Sequence, residues 1–459
     1  MAGNPYPQTV PGVDLADVQG NILRGYRMGY VRHLVMRVID GAAARASLGA
    51  MVDGSLPTQV TSASPWKKDE DKTPDDCLNV GITFTGLRAL GVPESSLAGF
   101  PAEFRAGMAA RAPRLGDVGE SAPERWDTRL AETDSVHLIF TVHGKTADDV
   151  DRASAPVRDA KGFWFIEQFD GAPLPDGTVH FGYRDGIAQP RFIGVHDPDQ
   201  FPDRQPLVPL GAALLGHPTP FPGLRWRVPD PPALGHNGAF NAFRVLAQDV
   251  AGFERYLQNV EKEHPDLPRE LVAAKLCGRW RNGVPLLHRA FDPPDPPAKD
   301  DRSLDDFDYD DDPTGATCPL GAHIRRANPR SSTIVQRGMN HTRQIVRRGM
   351  PYGPPYDPDQ PDVPRGLLGN FICASLAAQF EAVQGDWLNL GLHDPRLSGS
   401  NDPLTGANGA ETSRFEMHDK DSGPIVLREL PNFVITRGGA YTFLPSLTAL
   451  RWIAARPGD

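Results

Sequence analysis

The chain has 459 residues, 39% of them hydrophobic and 23% charged, with 46 prolines and a net charge of −10. That length exceeds one ordinary core and predicts two domains, and the balance is that of a globular protein. Net acidity argues against a phosphate-backbone partner, and the lack of any run of 18 apolar residues argues against a membrane span.

The first twenty residues have neither a basic nor an apolar signal region, so a cytoplasmic setting is expected. A strand is predicted at 30–40 and a helix directly after it. Residues 77–91 read as a strand running into a helix, 135–144 as a strand, 145–159 as a surface helix and 162–171 as another strand. The proline-rich stretch 197–237 cannot be interior helix or central strand and reads as a long surface connection. Residues 238–261 then give a strand and a helix with Asp249 as N-cap, 365–388 a strand and a helix, and 432–445 strands around a glycine turn. The two halves share one grammar, which suggests an internal duplication.

Cys77, Cys277, Cys318 and Cys373 form no CxxC pair, and are expected to be free buried thiols. Two charge blocks adjoin. Between Asp292 and Asp312 ten aspartates face only Lys299 and Arg302. From Pro313 to Tyr356 there is no acid, and Arg325, Arg326, Arg330, Arg337, Arg343, Arg347 and Arg348 follow one another. An anionic ligand and the neighbouring aspartate loop are equally good partners for them.

Hydrolase and nucleotide motifs (G-x-S-x-G, H-E-x-x-H, a Walker loop) are missing. What remains is Asp185 in "HFGYRDGIAQPRF" (180–192), His323 in "CPLGAHIRRANPR" (318–330), and Arg347 and Arg348 in "IVRRGMPYG" (345–353). Singly, these read as a turn aspartate, a satisfied core histidine and surface arginines.

Together, "GYRDG", "AHIRRANPR" and "RRGMPYGP" resemble the dye-decolourising peroxidase family of haem enzymes, in particular its larger branch. "DVQGNILRGY" (17–26), "NVGITFTGLRALGVP" (79–93), "GRWRNGVPL" (278–286), "QFEAVQGDWLN" (379–389) and "RGGAYTFLP" (437–445) are similar to family segments in the same order, from about residue 15 to about residue 455. The resemblance implies an α+β fold of two ferredoxin-like domains, antiparallel sheets flanked by helices, with haem in the C-terminal one. The N-terminal domain would span 15–196, the connection 197–237 and the haem-binding domain 238–455.

The resemblance also implies one haem b per chain, with His323 as axial iron ligand and either Asp402 or Glu381 accepting its other N–H. Asp185 matches the distal acid, and its flanking glycines would let the backbone approach a flat ring. Arg347 matches the distal arginine, which would also contact the cofactor; the haem propionates are candidate anions for the arginine stretch. The partners implied are hydrogen peroxide and a small organic reductant, with association into a homo-oligomer left open. Trp387 stands where the family has a tryptophan, as an electron relay or, by the plainer reading, a packed helix aromatic. Gly369 departs from the family's bulkier residue; it would open the distal wall unless Phe371 fills the place. The other function considered is a haem-binding protein of the same fold with an oxygen-transfer or haem-handling role.

Overall fold

The computed structural model describes residues 12–66, 73–197, 199, 204–298, 301–332, 341–409, 411–419 and 423–457. The first half supplies strands β1 (Tyr30–Val38), β2 (Asp76–Ile82), β3 (Leu138–Gly144) and β4 (Phe163–Gly171). The second supplies β5 (Ala239–Gln248), β6 (Val346–Tyr352) and β7 (Gly366–Cys373), a separate hairpin of β8 (Arg414–Asp419) and β9 (Gly423–Arg428), and β10 (Val434–Leu444). All but the hairpin form one eight-stranded sheet in the order β4-β1-β3-β2-β10-β5-β7-β6, and every pairing is antiparallel. In each half the spatial order is fourth, first, third, second. That is the ferredoxin-like arrangement expected, occurring twice. The two sheets join edge to edge: β2 meets β10 at Ile82 and Phe443. At the other end the Ala172 N–H donates to the Pro351 carbonyl at 2.9 Å, so the edges bearing β4 and β6 come together.

Strand periodicity explains this closure. Side chains alternate between faces, and here both faces are apolar. Leu34, Met36, Leu138, Phe140 and Val142 pack outward under the helices. Val35 and Ile139 point inward and meet Phe243, Val245, Leu368 and Ala440 from the second half. The inner cluster is therefore built by both repeats and holds them as one body.

The helices start where caps are encoded. Asp40 accepts from Ala43 N before Gly41–Asp53, Thr146 and Asp149 form a capping box before Ala147–Arg158, and Asp249 accepts from Gly252 N before Val250–Glu263. All four cysteines are free and buried. Among the described residues no helix is long and apolar enough to cross a membrane.

Two expectations fail. Residues 434–444 make one strand with a bulge between Thr436 and Gly438, not two strands around a turn. The glycines serve close packing: a Cβ on Gly438 would lie 2.2 Å from Thr128 Oγ1, and one on Gly439 2.2 Å from Met108 Sδ. Nor is the described part of 197–237 wholly a surface connection, although residues 222–225 are exposed. Val208, Leu210 and Ala212–Leu215 are buried; all but Leu215 pack with Val18, Ile22 and Ile372. The helical turns Leu210–Ala212 and Pro232–Gly235 are short, as the prolines require, but "LVPLGAALL" is apolar enough to enter the core.

One buried group sets an acid limit. His33 lies inside the sheet, 4.7 Å from the Phe243 ring, its Nδ1 3.0 Å from Thr141 Oγ1. Burial pushes its imidazolium down to about 3. Between the unfolded value near 6.5 and that value only the unfolded chain takes up the proton, so stability falls as pH falls, by about 1.4 kcal/mol per pH unit. Urea unfolding from pH 6.5 to 4 should show a shallower decline for His33→Gln than for the parent chain; identical slopes would refute this.

Candidate active site

The outer face of the second half of the sheet carries the residues of interest. Arg244 on β5, Gly369 on β7 and Gly349 on β6 stand in register. Phe371 and Arg347 form the neighbouring pair on the same face, because two residues along a strand restore the side-chain direction. These five residues, Asp185 and His323 all line one cavity of about 630 Å³. The three residues singled out as chemistry-bearing are thus brought together from positions 185, 323 and 347.

His323 is the first residue of a short helix, His323–Ala327, so it reaches the cavity from a different element than Arg347. Its Nδ1 lies 3.0 Å from Asp402 Oδ2. Asp402 is wholly buried. Its other oxygen accepts from Leu404 N, Thr405 N and Thr405 Oγ1 at 2.8–3.1 Å. Burial alone would raise this carboxyl, but His323, the Arg326 guanidinium and the Thr405 N–H outweigh it and hold it below the ordinary carboxylate range. An ionised carboxylate can only accept, so the proton sits on Nδ1 and the Nε2 lone pair is left for a ligand. The alternative acceptor, Glu381, is engaged elsewhere: Arg111 donates to both of its oxygens at 2.9 and 2.6 Å.

Asp185 is exposed, and among the described residues its carboxylate is in no ion pair. Its neighbours Gly182 and Gly186 have φ of 84° and 74°, a region that disfavours side chains. No protein atom lies within 4 Å of a Cβ built on Gly186. Within the chain the backbone conformation by itself calls for glycine there, and the space in front of it is open. Three residues on, Gln189 clamps β6: its Oε1 accepts from Arg347 N at 3.1 Å and its Nε2 donates to Arg347 O at 3.0 Å. Arg347 Nη2 donates to the Ala188 carbonyl at 2.7 Å. One acceptor fixes the guanidinium, and the residue lines the cavity. Arg348 takes the other face of β6, donating from Nε to Asn21 O at 2.8 Å.

Much of the arginine stretch is spent inside the protein. Arg325 pairs with Asp312 at 2.9 Å and Arg330 with Asp305 at 2.6 Å, both acids coming from the preceding aspartate block. Arg326, fully buried, donates to the carbonyls of Gly321, Trp387 and Ser400 and to Ser400 Oγ. Arg330 and Arg343 also line the cavity; Arg337 lies outside the described residues, as does Lys299. Trp387 is a packed aromatic with a ring centroid 5.5 Å from that of His393, the plainer of its two readings. The Gly369 question has an answer: a Cβ there would stand 2.6 Å from Phe371 Cε2, so the Phe371 ring covers the glycine.

Chemically, the cavity presents one nitrogen lone pair, an exposed carboxylate and a fixed guanidinium. That set can ligate a metal centre, move a proton and stabilise a developing negative charge. Two contributors escaped sequence reasoning. Gln189 stands four residues after Asp185 in the same quoted stretch, and position alone could have flagged it. Arg244 pairs with Asp117 deep in the structure; a charge inside the apolar run "NAFRVLA" was the available signal.

A family model described as the DyP dimeric alpha+beta barrel domain matches residues 17–168. Dye-decolorizing peroxidase msp1 of Mycetinis scorodonius is 29% identical, over 96% of this chain and 88% of that protein. Multifunctional dye peroxidase DyP2 of an Amycolatopsis species is 29% identical over 95% of each. A solved structure of a dye-decolorizing peroxidase with 2,6-dimethoxyphenol superposes with a TM-score of 0.82 at 27% identity, covering 96% of this chain and 100% of that one.

The Phe371 ring over Gly369 predicts a measurable coupling. Gly369→Leu should destabilise the protein by about 1–3 kcal/mol through overpacking. The same change made in a Phe371→Ala background should cost much less. Urea unfolding of the four proteins checks this, and additive effects would show that the ring does not occupy that space.

Proposed function

The chain belongs to the dye-decolourising peroxidase family, and from that premise we propose that its cavity would hold one haem b, with His323 as the residue that would ligate its iron and Asp185 and Arg347 as the residues that would act on peroxide. The enzyme reduces hydrogen peroxide while oxidising organic molecules such as dyes or phenols. The observation that carries the assignment is the Asp402-oriented His323 opening onto the same cavity as Asp185 and a braced Arg347.

The residues present fit the cofactor. The free Nε2 is a nitrogen donor suited to haem iron, and the buried Asp402 makes the imidazole more electron-rich. Gly349 keeps the sheet face low on the strand that carries Arg347, while the Phe371 ring covers Gly369, and the cavity volume falls within the range of about 300–1,000 Å³ usual for ligand sites. Haem, once bound, supplies the redox chemistry that splits peroxide and takes electrons back one at a time.

The chain's own residues handle the protons and charge. Asp185 would accept a proton from one peroxide oxygen, directly or through water, and pass it to the departing oxygen. Arg347, fixed by Ala188 and Gln189, stabilises the negative charge developing there. Asp402 keeps the proton on His323 Nδ1 and the ring in one orientation. A haem carrier of the same fold would need His323, but would give no reason for bracing Arg347 beside an unpaired carboxylate.

Three measurements test this. Haem-supplemented protein should show a Soret band, and His323→Ala should lose iron ligation. Arg347→Leu should retain haem yet slow peroxide cleavage about a hundred- to a thousandfold in stopped flow. Parent-like peroxide kinetics in that variant would remove Arg347 from the mechanism.

A further inference from the structure

Four described tyrosines are buried: Tyr26, Tyr183, Tyr309 and Tyr441. Their hydroxyls differ in what they can do with a proton. Tyr26 donates to the Asn79 side-chain carbonyl and Tyr183 to the Ala273 backbone carbonyl. Tyr309 has no hydrogen-bond partner. Tyr441 alone donates to a carboxylate, Glu381 Oε1, at 3.0 Å. An amide carbonyl is too weak a base to hold a phenolic proton, whereas a carboxylate can take one.

Tyr441 is also one ring from the cavity. Its ring centroid lies 6.2 Å from that of Phe380, in an edge-to-face contact. Phe380 is 5.4 Å from Phe371, and both phenylalanines line the cavity. On its far side Glu381 is held by Arg111, whose side chain is 34% exposed. The network therefore runs from the cavity wall through a buried phenol and a buried carboxylate to a cation in contact with water.

We propose that Tyr441 is a redox-active residue that gives one electron to the peroxide-oxidised cofactor and its phenolic proton to Glu381. The step rests on the peroxidase reading, since peroxide is the oxidant. One O–H bond breaks, one forms at Glu381 Oε1, and a neutral phenoxyl radical is left. Losing the electron without the proton would place a radical cation in the core, which burial penalises heavily. The proton transfer avoids that charge. The cation that Glu381 no longer neutralises is Arg111, which water can reach. An electron from the organic reductant reverses both movements, so the pair stores one oxidising equivalent behind Phe380.

Holoenzyme mixed with one equivalent of hydrogen peroxide and freeze-quenched should give a tyrosyl signal by electron paramagnetic resonance. The signal should fall at least tenfold in Tyr441→Phe, which keeps the ring packed on Phe380. It should also fall in Glu381→Gln, which still accepts a hydrogen bond but takes no proton. It should persist in Tyr183→Phe. If peroxide changes the optical spectrum but no tyrosyl signal forms, or the signal survives in Tyr441→Phe, the assignment to Tyr441 is wrong. If peroxide leaves the spectrum of the parent holoenzyme unchanged, the peroxidase reading fails instead.

Discussion

The hydrogen bond between His323 and Asp402 is the constraint on which the site depends. A carboxylate with no solvent exposure is expensive to bury. Here its cost is offset by three donors on one oxygen and the imidazole on the other. Those donors come from the turn 402–405, so the turn, the helix 323–327 and the fully buried Arg326 beneath them must form together. Once they have, the histidine has a single tautomer and orientation. Its other nitrogen is then left with a free lone pair on a ring that lines the cavity.

Charge is managed by the same logic elsewhere. The aspartate block and the arginine block adjoin in sequence, and the fold pairs them with each other: Arg325 with Asp312, Arg330 with Asp305. Such pairs keep buried guanidiniums compensated and do not by themselves advertise a ligand. Arg347 is different: its guanidinium donates to the Ala188 carbonyl, which holds the cation in place without neutralising it, and among the described residues it is in no ion pair. A cation that is positioned but unneutralised is what stabilising a transient anion requires.

The arrangement of the sheet makes this placement specific. Because the two halves close edge to edge, the inner face is filled by apolar side chains of both repeats, and chemistry is confined to the outer face. On β7 a one-residue change of register would exchange Gly369 and Phe371 for the core residue Leu368. The site therefore inherits its accuracy from the core. Gln189 adds a second tie, connecting the Asp185 loop to the strand that carries Arg347, so the acid and the cation keep a common frame.

Much of this was legible in the chain. Strand positions, the Asp249 cap, free cysteines and the assembly of Asp185, His323 and Arg347 followed from local pattern and ordered motifs, since periodicity and capping are properties of short segments. Other features were not. The bulged β10 looked like a glycine turn, because only the approach of Thr128 and Met108 reveals why Gly438 and Gly439 lack side chains. The proline-rich segment looked external, because proline reports on backbone regularity and not on burial. Asp402 was the candidate and Glu381 the alternative until the structure showed Arg111 on Glu381. By itself, then, the sequence determined which residues are candidates for chemistry and which segments build the sheet. Tertiary structure decided which acid serves the histidine, which ring covers Gly369 and which arginines stay unneutralised. Those outcomes depend on partners far apart in the chain, and no local pattern encodes such a distance.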